Sequence, residues 1–86
     1  MSEEELEEVG HIIHFFPKIS VAIVELTESL SVGDTITVKG PMTNFEQKVD
    51  SMQIEHKSVK KAEAGQSIGL KVAERVKERD VVYKKL

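Results

Sequence analysis

The feature that most constrains this chain is its punctuation. Apolar residues come in short runs of five to eight, and a turn signal interrupts each run before a helix could complete three turns. Thr35–Gly40, TITVKG, is the clearest case. Ile36 and Val38 share one face and Thr35, Thr37 and Lys39 the other, the period-2 pattern of a half-buried strand. Gly33–Asp34 ahead of it is a turn signal. Val9–Phe16 (VGHIIHFF) is rich in β-branched and aromatic residues and ends at Pro17, which has no N–H to give to a ladder. A tight reversal over Pro17–Ser20 then predicts a hairpin with Val21–Leu26 (VAIVEL).

Phe45–Glu55 (FEQKVDSMQIE) poses a parity problem. Phe45, Gln47 and Val49 share one face, whereas Met52 and Ile54 share the other. One strand sends both sets inward only with an extra residue, so a β-bulge is expected near Asp50–Ser51. His56–Gly65 is a long connection, and its only helix-like stretch, Lys57–Ala64, is too short to stand as a helix. Ser67–Val72 directs Ile68, Leu70 and Val72 inward, with Gly65 supplying the turn before it and Gly69 outward. Ala73–Asp80 is a charged loop in which Val76 tucks inward, and Val81–Lys85 is the last strand. Six short strands in 86 residues predict one all-β domain, a closed six-stranded barrel over residues 9–86. Closure also removes exposed sheet edges. The expected interior is Ala22, Val24, Leu26, Ile36, Val38, Val49, Met52, Ile54, Ile68, Leu70 and Val72.

Residues 1–8, with five glutamates, are expected to form a disordered acidic tail. That start lacks the basic residues and apolar core of a signal peptide. No apolar run approaches the ~20 residues needed to span a bilayer, so no membrane partner is expected. The chain has no cysteine, which excludes disulfides and zinc–thiolate sites and fits a cytoplasmic protein.

The ordered series of Leu30, Val32, Gly33 and Asp34, then SMQI (Ser51–Ile54), then Val59, Ala62, Gly65, Ile68, Gly69, Leu70 and Val72, resembles the second domain of translational GTPases of the elongation factor Tu type. It looks closer still to stand-alone or C-terminal versions of that barrel, including those at the end of collagenase-like peptidases and their RNA-modifying relatives. The resemblance implies a six-stranded Greek-key barrel and translation-related partners: tRNA, ribosomal RNA or a ribosomal protein. No G-x-x-x-x-G-K-[ST] loop is present, so neither nucleotide binding nor GTPase activity carries over.

Site candidates follow from charge and aromaticity. Residues 1–55 hold eleven acids against three bases, and residues 56–86 hold four against nine. Lys57, Lys60 and Lys61 fall in one loop and Arg75, Lys77 and Arg79 in another. If the two share a rim, they form a basic patch able to neutralise phosphates, and these six are the candidate nucleic-acid contacts. Phe15 and Phe16 point to opposite faces of a strand. With Lys18 they form a candidate partner-binding site. His11 and His14, three apart, should face opposite ways on a regular strand and need a bulge to act together. No catalytic constellation, cofactor site or metal site is expected. The first functional expectation is a non-catalytic binding module contacting RNA or the ribosome. The second is an accessory protein–protein module docking on a separately encoded peptidase or RNA-modifying enzyme.

Overall fold

A computed structural model describes residues 5–86. Among them there is no helix. The ten strands are β1 (Leu6–Phe16), β2 (Val21–Leu26), β3 (Leu30–Ser31), β4 (Thr35–Gly40), β5 (Thr43–Lys48), β6 (Met52–Ile54), β7 (Lys57–Val59), β8 (Lys61–Ala62), β9 (Ser67–Lys71) and β10 (Val81–Lys85). Eight form one antiparallel sheet in the order β5-β4-β10-β1-β2-β9-β6-β7, and β3 pairs with β8. β1 starts at Leu6, so Leu6, Glu7 and Glu8, expected in the tail, are strand residues opposite Lys85, Lys84 and Tyr83. Residues 1–4 lie outside the described residues.

The expected strand Phe45–Glu55 is not one bulged strand. It stops at Lys48 and resumes at Met52 as β6. The parity switch read from the sequence is real, but its cause is a crossing between opposite flanks of the sheet. β5 is first and β6 seventh in the strand order, yet only Val49, Asp50 and Ser51 separate them in the chain. Six strand steps of ~4.8 Å would span about 29 Å in a flat sheet. The chain from Lys48 to Met52 reaches about 14 Å at most. The sheet must therefore curl until its flanks meet.

The curl does not become a closed ladder, which corrects the expected closed six-stranded barrel. β5 is the last strand on its side. Its seam with β9 is bridged by one side chain. Gln47 Nε2 donates to the Lys71 carbonyl at 2.9 Å, and Gln47 Oε1 accepts from the Ala73 amide at 2.7 Å. Beyond the seam, residues 73–80 run back past β5. Lys77 Nζ reaches Met42 Sδ at 3.7 Å, and the Arg79 amide donates to the Ile12 carbonyl at 2.7 Å. Val76 is buried beneath this segment, as expected. Gln47→Ala strips the Lys71 carbonyl and the Ala73 amide of their partner. It should lower stability by about 1 kcal/mol, read from the denaturant midpoint, with faster amide exchange at Ala73.

Every expected core residue is buried except Ile54, which is half-buried and packs against the core. Val9, Ile12, Leu30, Phe45, Ala62 and Val82 complete the interior. Three turns share one construction. In Ser31–Asp34, Glu63–Gln66 and Lys77–Asp80 the fourth amide donates to the first carbonyl. The fourth side chain (Asp34, Gln66 or Asp80) accepts from the first amide at 2.7–2.9 Å. The third residue has positive φ: Gly33 at 99°, Gly65 at 90° and Arg79 at 78°. This is the type II requirement, and it explains why two of the three positions hold glycine.

Candidate functional site

The structure sets Lys60 and Lys77 apart. The Val32 amide donates to the Lys60 carbonyl at 2.9 Å and Ser31 pairs with Lys61, which fixes Lys60 and Lys61 near the start of β4. Lys77 meets Met42, just past the end of β4, and Asp80 lies beside Gly40. The six residues of β4 set Lys60 and Lys77 roughly 17–20 Å apart, at opposite ends of the strand. Lys57, Lys60 and Lys61 are exposed, Lys57 pairing with Ile54 beside the tip of the β6–β7 hairpin and Lys61 Nζ lying 3.7 Å from Glu63. Arg75, Lys77 and Arg79 are exposed and interleaved with Glu74 and Glu78. Lys60 and Lys77 therefore do not share one rim.

Phe15 and Phe16 do split across the sheet. Phe15 is partly buried and packs against the core. Phe16 is 43% exposed, and Lys18 is exposed in the turn that follows. β1 carries a register shift between Ile12 and His14 where it pairs with β2. That bulge at Ile13, which is exposed, places His11 and His14 on the same outer face, where a regular strand would oppose them. They do not act together. His11 Nε2 lies 3.4 Å from Glu25, and His14 Nδ1 lies 3.4 Å from Glu78. The described residues contain no group of three side chains able to hold a metal ion.

An apolar surface feature lies on the outer face of β2 and β9. Val21 and Ile23 alternate with the buried Ala22 and Val24 and so point outward. Phe16 lies opposite Val21 across the β1–β2 ladder, and the His14 ring meets the Phe16 ring edge-on at 4.4 Å. Ile19, 58% exposed, projects from the turn that joins the two strands. On the other side of β2, Gly69 pairs with Ile23, and it pairs in turn with Gln53 of β6. Phe16, Ile19, Val21, Ile23, Gln53 and Gly69 line a groove of about 240 Å³. Glu55 and His56 line its far side as the two-residue loop of the β6–β7 hairpin, with φ of 51° and 67°. Such a loop favours Asn-Gly, and two non-glycine residues in left-handed conformations carry backbone strain.

A larger depression, about 400 Å³, lies over the β5–β9 seam between Lys48, Asp50 and Lys71. The Gln47 amide already occupies the polar groups of that seam. The sequence marked Phe16 but missed Ile19, Val21 and Ile23 as surface groups. Their apolar character reads as core until the turn and the neighbouring strand are placed. The alternation of β2 was the available signal.

No family model matches the chain. Among curated sequences it is 44% identical over 77 residues to an uncharacterised protease of Methanocaldococcus jannaschii, a match covering 88% of this chain and 19% of that protein. It is 37% identical over 78 residues to a collagenase of Porphyromonas gingivalis, covering 88% of this chain and 22% of the collagenase. The chain thus spans about a fifth of the length of the curated relatives it matches. Among solved structures, the C-terminal domain of a protein from Geobacillus thermoleovorans, named as a U32 peptidase, superposes with a TM-score of 0.87 at 22% identity, over 93% of both chains. The selenomethionine form of that domain gives a TM-score of 0.84 over 88% of this chain. These matches overturn the expected kinship with the second domain of elongation factors. The translation function and the tRNA, ribosomal RNA and ribosomal protein partners that rested on that kinship fall with it. The fold of this chain is the fold of a peptidase C-terminal domain.

Proposed function

We propose that the chain is a non-catalytic protein–protein interaction module of a U32-type peptidase system, docking on a peptidase through the outer face of β1 and β2. The observation that supports this most is the extent of the matches: the similarity to protease- and collagenase-named proteins is confined to about a fifth of their length. A segment of that size is an accessory unit beside a larger catalytic part. The half-exposed apolar side chains of Phe16 and Ile19 are the kind of surface an interface covers.

The test uses the Methanocaldococcus jannaschii protease prepared with and without its matching 77 residues. This chain should co-elute with the shortened protein on size-exclusion chromatography and ignore the intact one, whose own copy fills the site. Phe16→Ser with Ile19→Ser should weaken that association at least tenfold while leaving the melting temperature within a few degrees, because both side chains are already largely solvated. Absence of any association with the shortened protein would remove the proposal.

A further inference from the structure

Nothing packed around Gly69 excludes a side chain. It sits in the interior of the sheet, paired with Ile23 on one side and Gln53 on the other. Its φ is not positive, so an L side chain fits its backbone. A Cβ built there would meet Val21 Cγ1 at 3.6 Å, the Gln53 carbonyl at 3.9 Å and Ile23 Cδ1 at 3.9 Å, all ordinary van der Waals contacts. The position thus bears the entropic cost of a strand glycine with no close approach or turn to require it. What the missing side chain does create is depth. It leaves the groove open between Val21 and Ile23 on one flank and the Glu55–His56 turn on the other.

Resting on the docking reading above, we infer that Gly69 is the specificity determinant of a peptide-binding groove. The occupant is a protein segment presenting one large aliphatic or aromatic side chain with a lysine or arginine beside it. The apolar side chain lies over Gly69, against Phe16, Ile19 and Ile23. The basic neighbour meets Glu55, an exposed carboxylate on the groove's rim that has no ion-pair partner among the described residues. The two-residue Glu55–His56 turn sets the backbone that carries this carboxylate on the rim.

The experiment is a selection of displayed dodecapeptides on the immobilised full chain, followed by calorimetric titration of the enriched peptides against wild type, Gly69→Ala and Glu55→Gln. Enriched peptides should share an apolar residue flanked by Lys or Arg. Gly69→Ala should melt about 2–8 °C higher than wild type and yet bind at least tenfold more weakly. Glu55→Gln should bind several-fold more weakly and lose much of the salt dependence. The opposed signs for Gly69→Ala separate a functional glycine from a structural one.

Three results would overturn the inference: no enriched peptide, equal binding by wild type and Gly69→Ala, or a lower melting temperature for Gly69→Ala. A concentration-dependent dimer of the wild type that Gly69→Ala abolishes would reassign the groove to a second copy. Failure here is distinct from failure of the docking proposal. If this chain still joins the shortened protease while Gly69→Ala does so equally well, docking stands and the groove is not its site.

Discussion

Leu70→Ala should lower the stability of this domain by about 2–5 kcal/mol. Leu70 is fully buried and faces Ala22 of β2 on one side and Met52 of β6 on the other. It therefore packs where the hairpin that begins the chain meets the strand that has crossed from the opposite flank. The neighbours are held by ladders on both sides and have little freedom to collapse into the space, which puts the expected value in the upper half of the range. A domain of 86 residues has about 4–13 kcal/mol of total stability. A loss of about 4 kcal/mol lowers the melting temperature by roughly 16–32 °C. Thermal unfolding followed by circular dichroism reads this directly. Met42→Ala, at a residue 80% exposed, is the matched control and should change stability by less than about 0.5 kcal/mol. If the two variants melted alike, the core would not be organised around β9.

Gly10→Val should be at least as damaging, for a different reason. Gly10 is the point where β1 passes from one neighbour to the other. It pairs with Val82 of β10 and with Leu26 of β2, beside a register shift that follows Glu8. A Cβ at this position would overlap the Glu25 carbonyl and press on Val24 Cγ1 at 3.1 Å. The Glu25 carbonyl is backbone in a paired strand and cannot rotate away. Accommodation therefore requires β1 and β2 to separate where the sheet bends. Overpacking of this kind costs about 1–3 kcal/mol when side chains yield, and more when backbone must move. The expected result is a variant with at least 3 kcal/mol less stability, or one that does not fold at 37 °C, judged by the dispersion of its amide proton spectrum. A well-folded Gly10→Val would show that the two strands approach less closely at the bend.

Two glycines in strand interiors are thus expected to respond in opposite directions. Gly10 is fixed by a carbonyl that leaves no room for a side chain. Gly69 has room, and its substitution should stabilise the isolated domain while impairing recognition. The sequence alone does not distinguish them, because both stand inside apolar alternation.

Much of the architecture was nonetheless legible in the residues. The strands from Val21, Thr35, Ser67 and Val81 begin where the turn chemistry placed them, and the alternation assigned the inward faces. The parity change between Val49 and Met52 was visible as well. A bulge was the local explanation available, and a bulge also occurs, but in β1 at Ile13. The functional reading was less legible. The basic residues of the second half are close in sequence, but the fold carries Lys60 and Lys77 to opposite ends of β4. The resemblance to elongation factors lay in turns and inward-facing positions that other all-β domains also use, and such positions carry packing, not activity.

Local chemistry therefore determined where the chain extends, where it turns and which residues go inside. Side-chain period and turn preference act over two to four neighbouring residues and need no tertiary context. The tertiary structure alone decided that one expected strand is two, that the seam between β5 and β9 is bridged by Gln47, and that Phe16, Ile19, Val21, Ile23 and Gly69 form one groove. Each of these depends on which distant segments become neighbours. That choice follows from the curl of the whole sheet, which no window of the sequence contains.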